Sequence, residues 1–587
     1  MPADRLRELL LSAADLQQKG DLDGAESVFR TIHQEFPRNA DALFMLGLVA
    51  HQRGRHHDAV GLFQHAIDLN PGKIDFFDNL AKAWLALERY RLAAEAWKDA
   101  LRLDPKNAPA ALNIAMALWE IRDVDATVEY SRLAIALDPN LSLAHGQLAG
   151  ALALQGDTEA SLNAYREALR LKPDWPGLHS DLVFATEQDE NSDTKAIAAA
   201  QRQWNQRHAE PLKRLMKPHA PRDPSRRKLR IGWVSPDFRL HVVSQCVKPV
   251  FEAFDRGQFE NFAYSSVAKP DAITEEIKAR VDVWRDISPL NDDAAADLIR
   301  ADAIDVLVDL AVHTANNRLL VFARKPAPVQ ATYLGYAGNT GLDTIDFRIT
   351  NARLDPPDPA PSGHSEKPAL LTGSYLCYRP RAAVGDIVPP PALKNGFVTF
   401  ACLNATEKLT PSAFDLWIEI LRAVPGSRLI LYVISNVFRR RIQSRFAASG
   451  IAPQRLEFVA KQSFRNYANT LNRADIALDT FPYGGGITAC DALWMGLPNV
   501  TLIGNFPVGR MCYSILYDVR HTEWAAPTPG EYVQIAAALA ADLPRLAQIR
   551  ANLRTEFESS PVMNAPAVAA DLGRVLKEIS TANKPSI

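Results

Sequence analysis

Cysteine is scarce and unpaired in this chain. Cys246, Cys377, Cys402, Cys490 and Cys512 are the five present, and no CxxC pair occurs among them. An odd, scattered set excludes a disulfide framework and a thiolate zinc site, and reads as free thiols in a reducing cytoplasm. Long apolar runs are missing, so no membrane span is expected. The opening stretch MPADRLRELLLSAADLQQKG mixes apolar and charged residues at helical spacing, which predicts a repeat helix and not a secretory signal. Charge of one sign is absent too: 66 Lys and Arg stand against 68 Asp and Glu, a net of −2, so there is no global field for nucleic acid. Several chemical signatures are also lacking. GxGxxG follows no opening strand, which argues against a nicotinamide dehydrogenase. There is no Walker lysine, no GxSxG elbow, and no Asp-x-Asp beyond the N-terminal third, which disfavours an NTPase, a serine hydrolase and a metal-dependent sugar transferase.

What is present begins with a period. Proline recurs every 34 residues at Pro37, Pro71, Pro105, Pro139 and Pro173. Aligned on it, small residues fall together at Ala13, Gly47, Ala81, Ala115 and Ala149, and again at Ala25, Ala59, Ala93, Thr127 and Ser161. A bulky column runs Phe29, Phe63, Trp97 and Tyr165, broken at Ser131, and a third small column runs Ala66, Ala100, Ala134 and Ala168. Gly20, Gly54 and Gly156 mark the turn, where a positive φ costs glycine least. This is a tetratricopeptide (TPR) array of five helix pairs. A further helix at PGLHSDLVFATEQ is expected to cap it, giving an array over residues 1–188. Such arrays grip proteins on a concave face. Asn79, Asn113 and Gln147 recur at one position of successive first helices and are candidates for holding an acceptor backbone. Asparagine is also common there in TPRs of every function. The repeats leave room for a homo-oligomer as well.

Residues 189–227 read as a connecting helix and a basic, Pro-bearing linker. From residue 228 short apolar runs alternate with helical stretches, first KLRIGWVS, NFAYSSV, IDVLVDLAV, PVQATYLGY and IDFRITN. DAITEEIKARVDVW is read as a helix between them. A second alternation starts at NGFVTFACLN and continues through RLILYVIS, RLEFVA, ADIALDTF and NVTLIG, before C-terminal helices. Strands alternating with helices imply parallel sheets with crossover connections. The expected fold class is therefore α plus α/β: a TPR superhelix, then two Rossmann-like domains over 228–388 and 389–587. Ligands of such pairs bind at the C-terminal strand ends, in the crevice.

Four segments crowd those ends. In LDTFPYGGGITACDALWMG, Gly484, Gly485 and Gly486 precede a helix starting near Ile487. This is a backbone cradle for an anion, with Asp491 one turn in, suited to a ribose diol. A tight strand–helix turn alone needs the same glycines. In FACLNATEKLTPSAF, Asn404 ends a strand and Lys408 offers a point charge for phosphate, where a solvated surface lysine is the plainer reading. In WVSPDFRLHVVSQ, His241 can serve as a base, an orienting group or a cap. In DLAVHTANNRLLVFARKPAPVQATYLGYAGNTG, His313, Thr314, Asn317 and Arg318 crowd one strand end, and Gly335, Gly338 and Gly341 form a flexible loop. These features and absences leave a metal-independent enzyme with an anionic, nucleotide-type donor.

RIGWVSPDF, HTANNRLLVFARKPAPVQATYLGYAGNTG and FPYGGGITACDALWMGLPNVTL, with the terminal helices, resemble the O-linked N-acetylglucosamine transferases and their bacterial SPINDLY-type relatives. The resemblance spans nearly the whole chain. It implies a GT-B fold and inverting, metal-free transfer of a sugar from a nucleotide donor such as UDP-GlcNAc to Ser or Thr of a protein. No cofactor is implied beyond that cosubstrate. It also implies that His241 is the active-site histidine, that Lys408 is the catalytic and donor-phosphate lysine, that Thr488 is a phosphate contact and that Asp491 binds ribose. Asn404, Gly485, Gly486, His313 and Arg318 complete the implied donor set. The sequence departs at Leu403-Asn404-Ala405-Thr406-Glu407, where the family often carries an aromatic–Asn–Asn/Gln run. It departs again at Gly486 and Ile487, where the animal enzymes carry His and Thr. Both departures touch the donor pocket. Relatives are associated with N-acetylglucosamine, fucose and, in flagellin-modifying proteins, nonulosonic acids. Two other readings stay open: a TPR scaffold with a non-catalytic transferase-like domain, and an enzyme with a small-molecule acceptor.

Overall fold

The computed structural model describes residues 2–219, 225–357, 365–381 and 385–582. Part of the basic linker, most of PPDPAPSG and the start of AAVGDIVPPPAL lie outside the described residues. The chain forms two compact units, Met1–Pro173 and Asp174–Ile587.

The first unit is ten helices between Pro2 and Leu171, five antiparallel pairs. The small columns lie at the closest approaches: Ala13, Ala81, Ala115, Ala25, Ala59 and Ala93 are fully buried. Gly47 is small by necessity, because a Cβ there would stand 2.5 Å from the Phe63 ring. Asp21, Asn39, Asn107, Asp123 and Asp157 cap helix N-termini with side-chain oxygens. Gly20, Gly54 and Gly156 turn at φ +81°, +74° and +64°. The same turn in the third and fourth repeats is made by Glu88 at +57° and Arg122 at +59°. Asn79, Asn113 and Gln147 are half-buried on successive first helices. The Asn79 amide donates to the Asp75 carbonyl at 2.8 Å.

The second unit holds two parallel sheets. The first contains β1 (Leu229–Ser235), β2 (Phe259–Ser265), β3 (Val283–Asp286), β4 (Val306–Asp309), β5 (Val329–Thr332), β6 (Phe347–Asn351) and β7 (Lys367–Leu371). Its order is β3-β2-β1-β4-β5-β6-β7. The second contains β8 (Thr399–Cys402), β9 (Arg428–Tyr432), β10 (Leu456–Val459), β11 (Ile476–Leu478), β12 (Asn499–Leu502) and β13 (Ala525–Ala526), in the order β10-β9-β8-β11-β12-β13. Each order reverses once, at β1/β4 and at β8/β11, which opens a crevice at the carboxyl ends. One core runs through both sheets, from Ile231 and Val306 to Phe400 and Ile476. Among the described residues no helix is long and apolar enough to cross a membrane.

Three expectations change. DAITEEIKARVDVW is only half helix: Ala272–Lys278 is helical, and β3 follows because Val283 and its neighbours pair with Phe262–Ser265. The Pro176–Gln188 helix, expected to cap the array, falls in the second unit, where it packs on the Thr194–Trp204 helix. The C-terminal helix Ala565–Ala582 packs on the first sheet, where Asp571 accepts from the Thr372 and Gly373 amides.

Candidate active site

Asn404 and Lys408 follow β8, and the glycine turn follows β11, so the second sheet's switch point supplies both. Asp479, buried and just past β11, organises this corner. Its Oδ1 accepts from the Gly485 amide at 2.7 Å and from Asn404 Nδ2 at 2.9 Å, and its Oδ2 accepts from Thr501 Oγ1 at 2.8 Å. Asn404 Oδ1 in turn accepts from Thr488 Oγ1. The Gly484 amide donates to Val508 O at 3.2 Å. Two of the three glycine amides are therefore spent holding the turn's shape. The turn leads into the Ile487–Trp494 helix, whose N-cap Gly486 supplies no capping side chain and leaves the helix tip suited to an anion. Sequence reasoning missed Asp479. A carboxylate ending a β-strand was the available signal.

Lys408 is half-buried. Its Nζ donates to the Gly484 carbonyl at 2.9 Å and lies 4.0 Å from the centre of the Tyr483 ring. Burial lowers its pKa to about 8, against the opposing pull of Asp479 and then Glu407. Asp491 is buried, and its Oδ1 accepts from Tyr378 Oη at 2.7 Å. Desolvation raises its carboxyl to about 6.

These residues line two cavities. One, about 290 Å³, is walled by Val242, Leu334–Ala337, Asn404, Lys408, Gly484, Gly486 and Thr488, so both sheets contribute. The other, about 220 Å³, is lined by Asp491, Arg381, Tyr432, Phe464, Tyr467 and again Thr488. Thr488 is common to both. A larger cavity of about 570 Å³ around Pro389–Pro391 touches Thr399 and Arg428, the first residues of β8 and β9. It lies at the wrong strand ends for a ligand site of this fold.

His241 is the N-cap of the Val242–Ala253 helix. Its Nδ1 accepts weakly from the Val243 amide at 3.4 Å and lies 3.5 Å from Asp237 Oδ2. Burial, then the charges of Arg239 and Arg381, lower its pKa to about 4, so the ring is neutral at pH 7. The next two residues line the first cavity.

The rest of the expected donor set falls elsewhere. His313 is fully buried, with one ring nitrogen 3.0 Å from Ser180 Oγ and the other 2.7 Å from Thr340 O. Arg318 donates to Asp292 and to the carbonyls of Ile287 and Leu290. Neither lines either cavity. Both groups are spent on internal bonds in this structure. The loop of Gly335, Gly338 and Gly341 is not free either: a Cβ on Gly341 would lie 2.6 Å from Gln201 Cβ.

Two Rossmann-like sheets with a cleft at their switch points define the GT-B fold class, here in one chain with a TPR array. The chain belongs to glycosyl transferase family 41, whose family model matches residues 189–382 and 391–572. TPR models match 10–74, 79–142 and 143–174. The chain is similar to a solved Thermobaculum terrenum O-GlcNAc transferase at TM-score 0.80 and 33% identity, covering 86% of this chain and 98% of that one. Two curated relatives carry the name "Probable UDP-N-acetylglucosamine--peptide N-acetylglucosaminyltransferase SPINDLY". The one from Arabidopsis thaliana is 38% identical over 60% of this chain and 39% of its own length. The one from Oryza sativa subsp. japonica is 37% identical over 64% and 41%. The chain thus spans about two fifths of these relatives' length.

Proposed function

We propose that this protein transfers a sugar from a nucleotide-sugar donor to a Ser or Thr hydroxyl of a protein, with inversion and without a metal. The observation that carries this reading is the placement of Lys408 beside an uncapped helix tip, with Asp491 in the adjoining cavity. A diphosphate at the tip would meet helix N–H groups and a cation, the groups that stabilise a departing anion. Its nucleoside would extend past Thr488 toward Asp491. Direct displacement at the anomeric carbon then inverts it: the acceptor oxygen forms the new bond as the bond to the diphosphate breaks. Neutral His241 is suited to orient the acceptor hydroxyl or take its proton. The TPR array is the element suited to holding the acceptor.

The test is intact-mass analysis of candidate acceptor proteins after incubation with a panel of nucleotide sugars in excess chelator. One donor should add one sugar mass at wild-type rate. Transfer that stops in chelator and returns with manganese or magnesium would replace the helix-tip mechanism with a metal-assisted one.

A further inference from the structure

Glu187 sits in the last turn of the Pro176–Gln188 helix, outside every motif that carries the chemistry, and it is 3% exposed. Its Oε1 accepts from Gln201 Nε2 at 2.8 Å and from Tyr336 Oη at 3.2 Å. The same Gln201 amide reaches the Asn339 carbonyl at 3.1 Å. One turn earlier, the Phe184 ring lies 5.2 Å from that of Tyr336 and 6.0 Å from that of Tyr483. Tyr336 and Tyr483 both line the cavity beside Lys408, one from each sheet. A Cβ on Gly338 would lie 3.0 Å from Glu187 Oε2. Thr340 is fixed through its carbonyl by His313, itself held by Ser180 of the same helix. The loop after β5 thus meets this helix pair at residues 336, 338, 339 and 341, is tied to it through His313 at residue 340, and presents residues 334–337 to the cavity.

We infer that Glu187 is a positioning residue that sets the wall of the donor cavity beyond the diphosphate, where the sugar would lie, by fixing Tyr336 and its loop. This rests on the donor reading above. The charges facing Glu187 are Glu366 and Arg348, and its hydrogen-bond donors are neutral. Burial raises its carboxyl to about 8. At neutral pH it is therefore held uncharged, and glutamine is its nearest isostere.

The test compares Glu187→Leu, Glu187→Gln and Tyr336→Phe with wild type in the full chain. Calorimetry is run with two pairs of probes, UDP with UDP-N-acetylglucosamine and GDP with GDP-fucose. For the pair that wild type binds, Glu187→Leu should weaken the sugar nucleotide by about tenfold to 100-fold while leaving the bare diphosphate unchanged. Tyr336→Phe should act in the same direction, and Glu187→Gln should restore wild-type affinity. Amide hydrogen exchange over residues 335–341 should speed up in Glu187→Leu and not in Glu187→Gln. Equal weakening of diphosphate and sugar nucleotide, or no weakening, overturns the inference. If wild type binds no probe, the donor reading fails, and the exchange comparison still decides whether Glu187 fixes the loop: unchanged exchange in Glu187→Leu refutes it.

Discussion

At Lys408 a cation is held where burial opposes it. Its pKa near 8 means the free site is charged at neutral pH and loses that charge as pH rises through about 8. A bound diphosphate favours the charged form and pulls the pKa back up. We therefore expect kcat/KM for the donor to fall above about pH 8 while kcat stays flatter, since the first reports the free enzyme and the second the complex. Lys408→Ala should remove about 2–4 kcal/mol of transition-state stabilisation without unfolding the protein. Wild-type turnover in that variant would displace the donor site from this cleft. Asp491→Asn keeps an acceptor for Tyr378 but offers a poorer partner to a ribose diol. It should raise the donor KM more than it lowers kcat, because ribose contacts are equal in ground and transition states. An unchanged KM would remove Asp491 from the pocket. Lys408, Thr488, Asn404 and Asp491 stood out as candidates in the sequence because each lies in the turn or helix that follows the carboxyl end of a strand. His313 and Arg318 share that property, yet they turn inward. His313 is held by Ser180 and Trp204, more than a hundred residues earlier, and Arg318 by Asp292 and the Ile287 and Leu290 carbonyls, and local spacing carries no trace of either set of partners.

Elements read well where a period repeats and poorly where one strand must be told from the end of a helix. The five helix pairs followed from 34-residue columns. β3 was hidden because Val283 and Trp284 continue an apolar spacing that suits a helix, and only pairing with β2 makes them a strand. The repeat turn offers a quantitative check. Glu88 and Arg122 adopt the positive φ that glycine takes in three other repeats. A non-glycine residue there carries backbone strain. Glu88→Gly should raise the array's stability by about 0.5–1 kcal/mol, net of glycine's greater unfolded-state entropy. Glu88→Ala, which keeps the strain, should not. Chemical denaturation followed by circular dichroism distinguishes them. A gain from alanine and none from glycine would show that strain at this turn is not what limits it.

For the whole molecule, the array and the cleft divide the work in the proposed reaction. If the array holds the acceptor, the double change Asn79→Ala with Asn113→Ala should weaken transfer to an intact protein by about 0.5–1.5 kcal/mol per lost hydrogen bond, and spare a short peptide. Equal catalytic efficiency on the intact acceptor would remove this ladder from the grip. The sequence placed the array, both sheets and their order of appearance. It misplaced two boundary helices, Pro176–Gln188 and Ala565–Ala582, because the partner of each is chosen by tertiary packing and not by its neighbours in the chain.

The central claim is that Lys408, the Ile487–Trp494 helix tip and Asp491 form one nucleotide-diphosphate site. Titration calorimetry of the full chain with UDP, GDP, ADP and CDP, in chelator, tests it most directly. The account predicts that one of the four binds saturably at one site per chain, and that Lys408→Ala and Asp491→Asn each weaken it by about tenfold or more, at least about 1.4 kcal/mol. Binding of none of them, or equal binding by wild type and both variants, would contradict it.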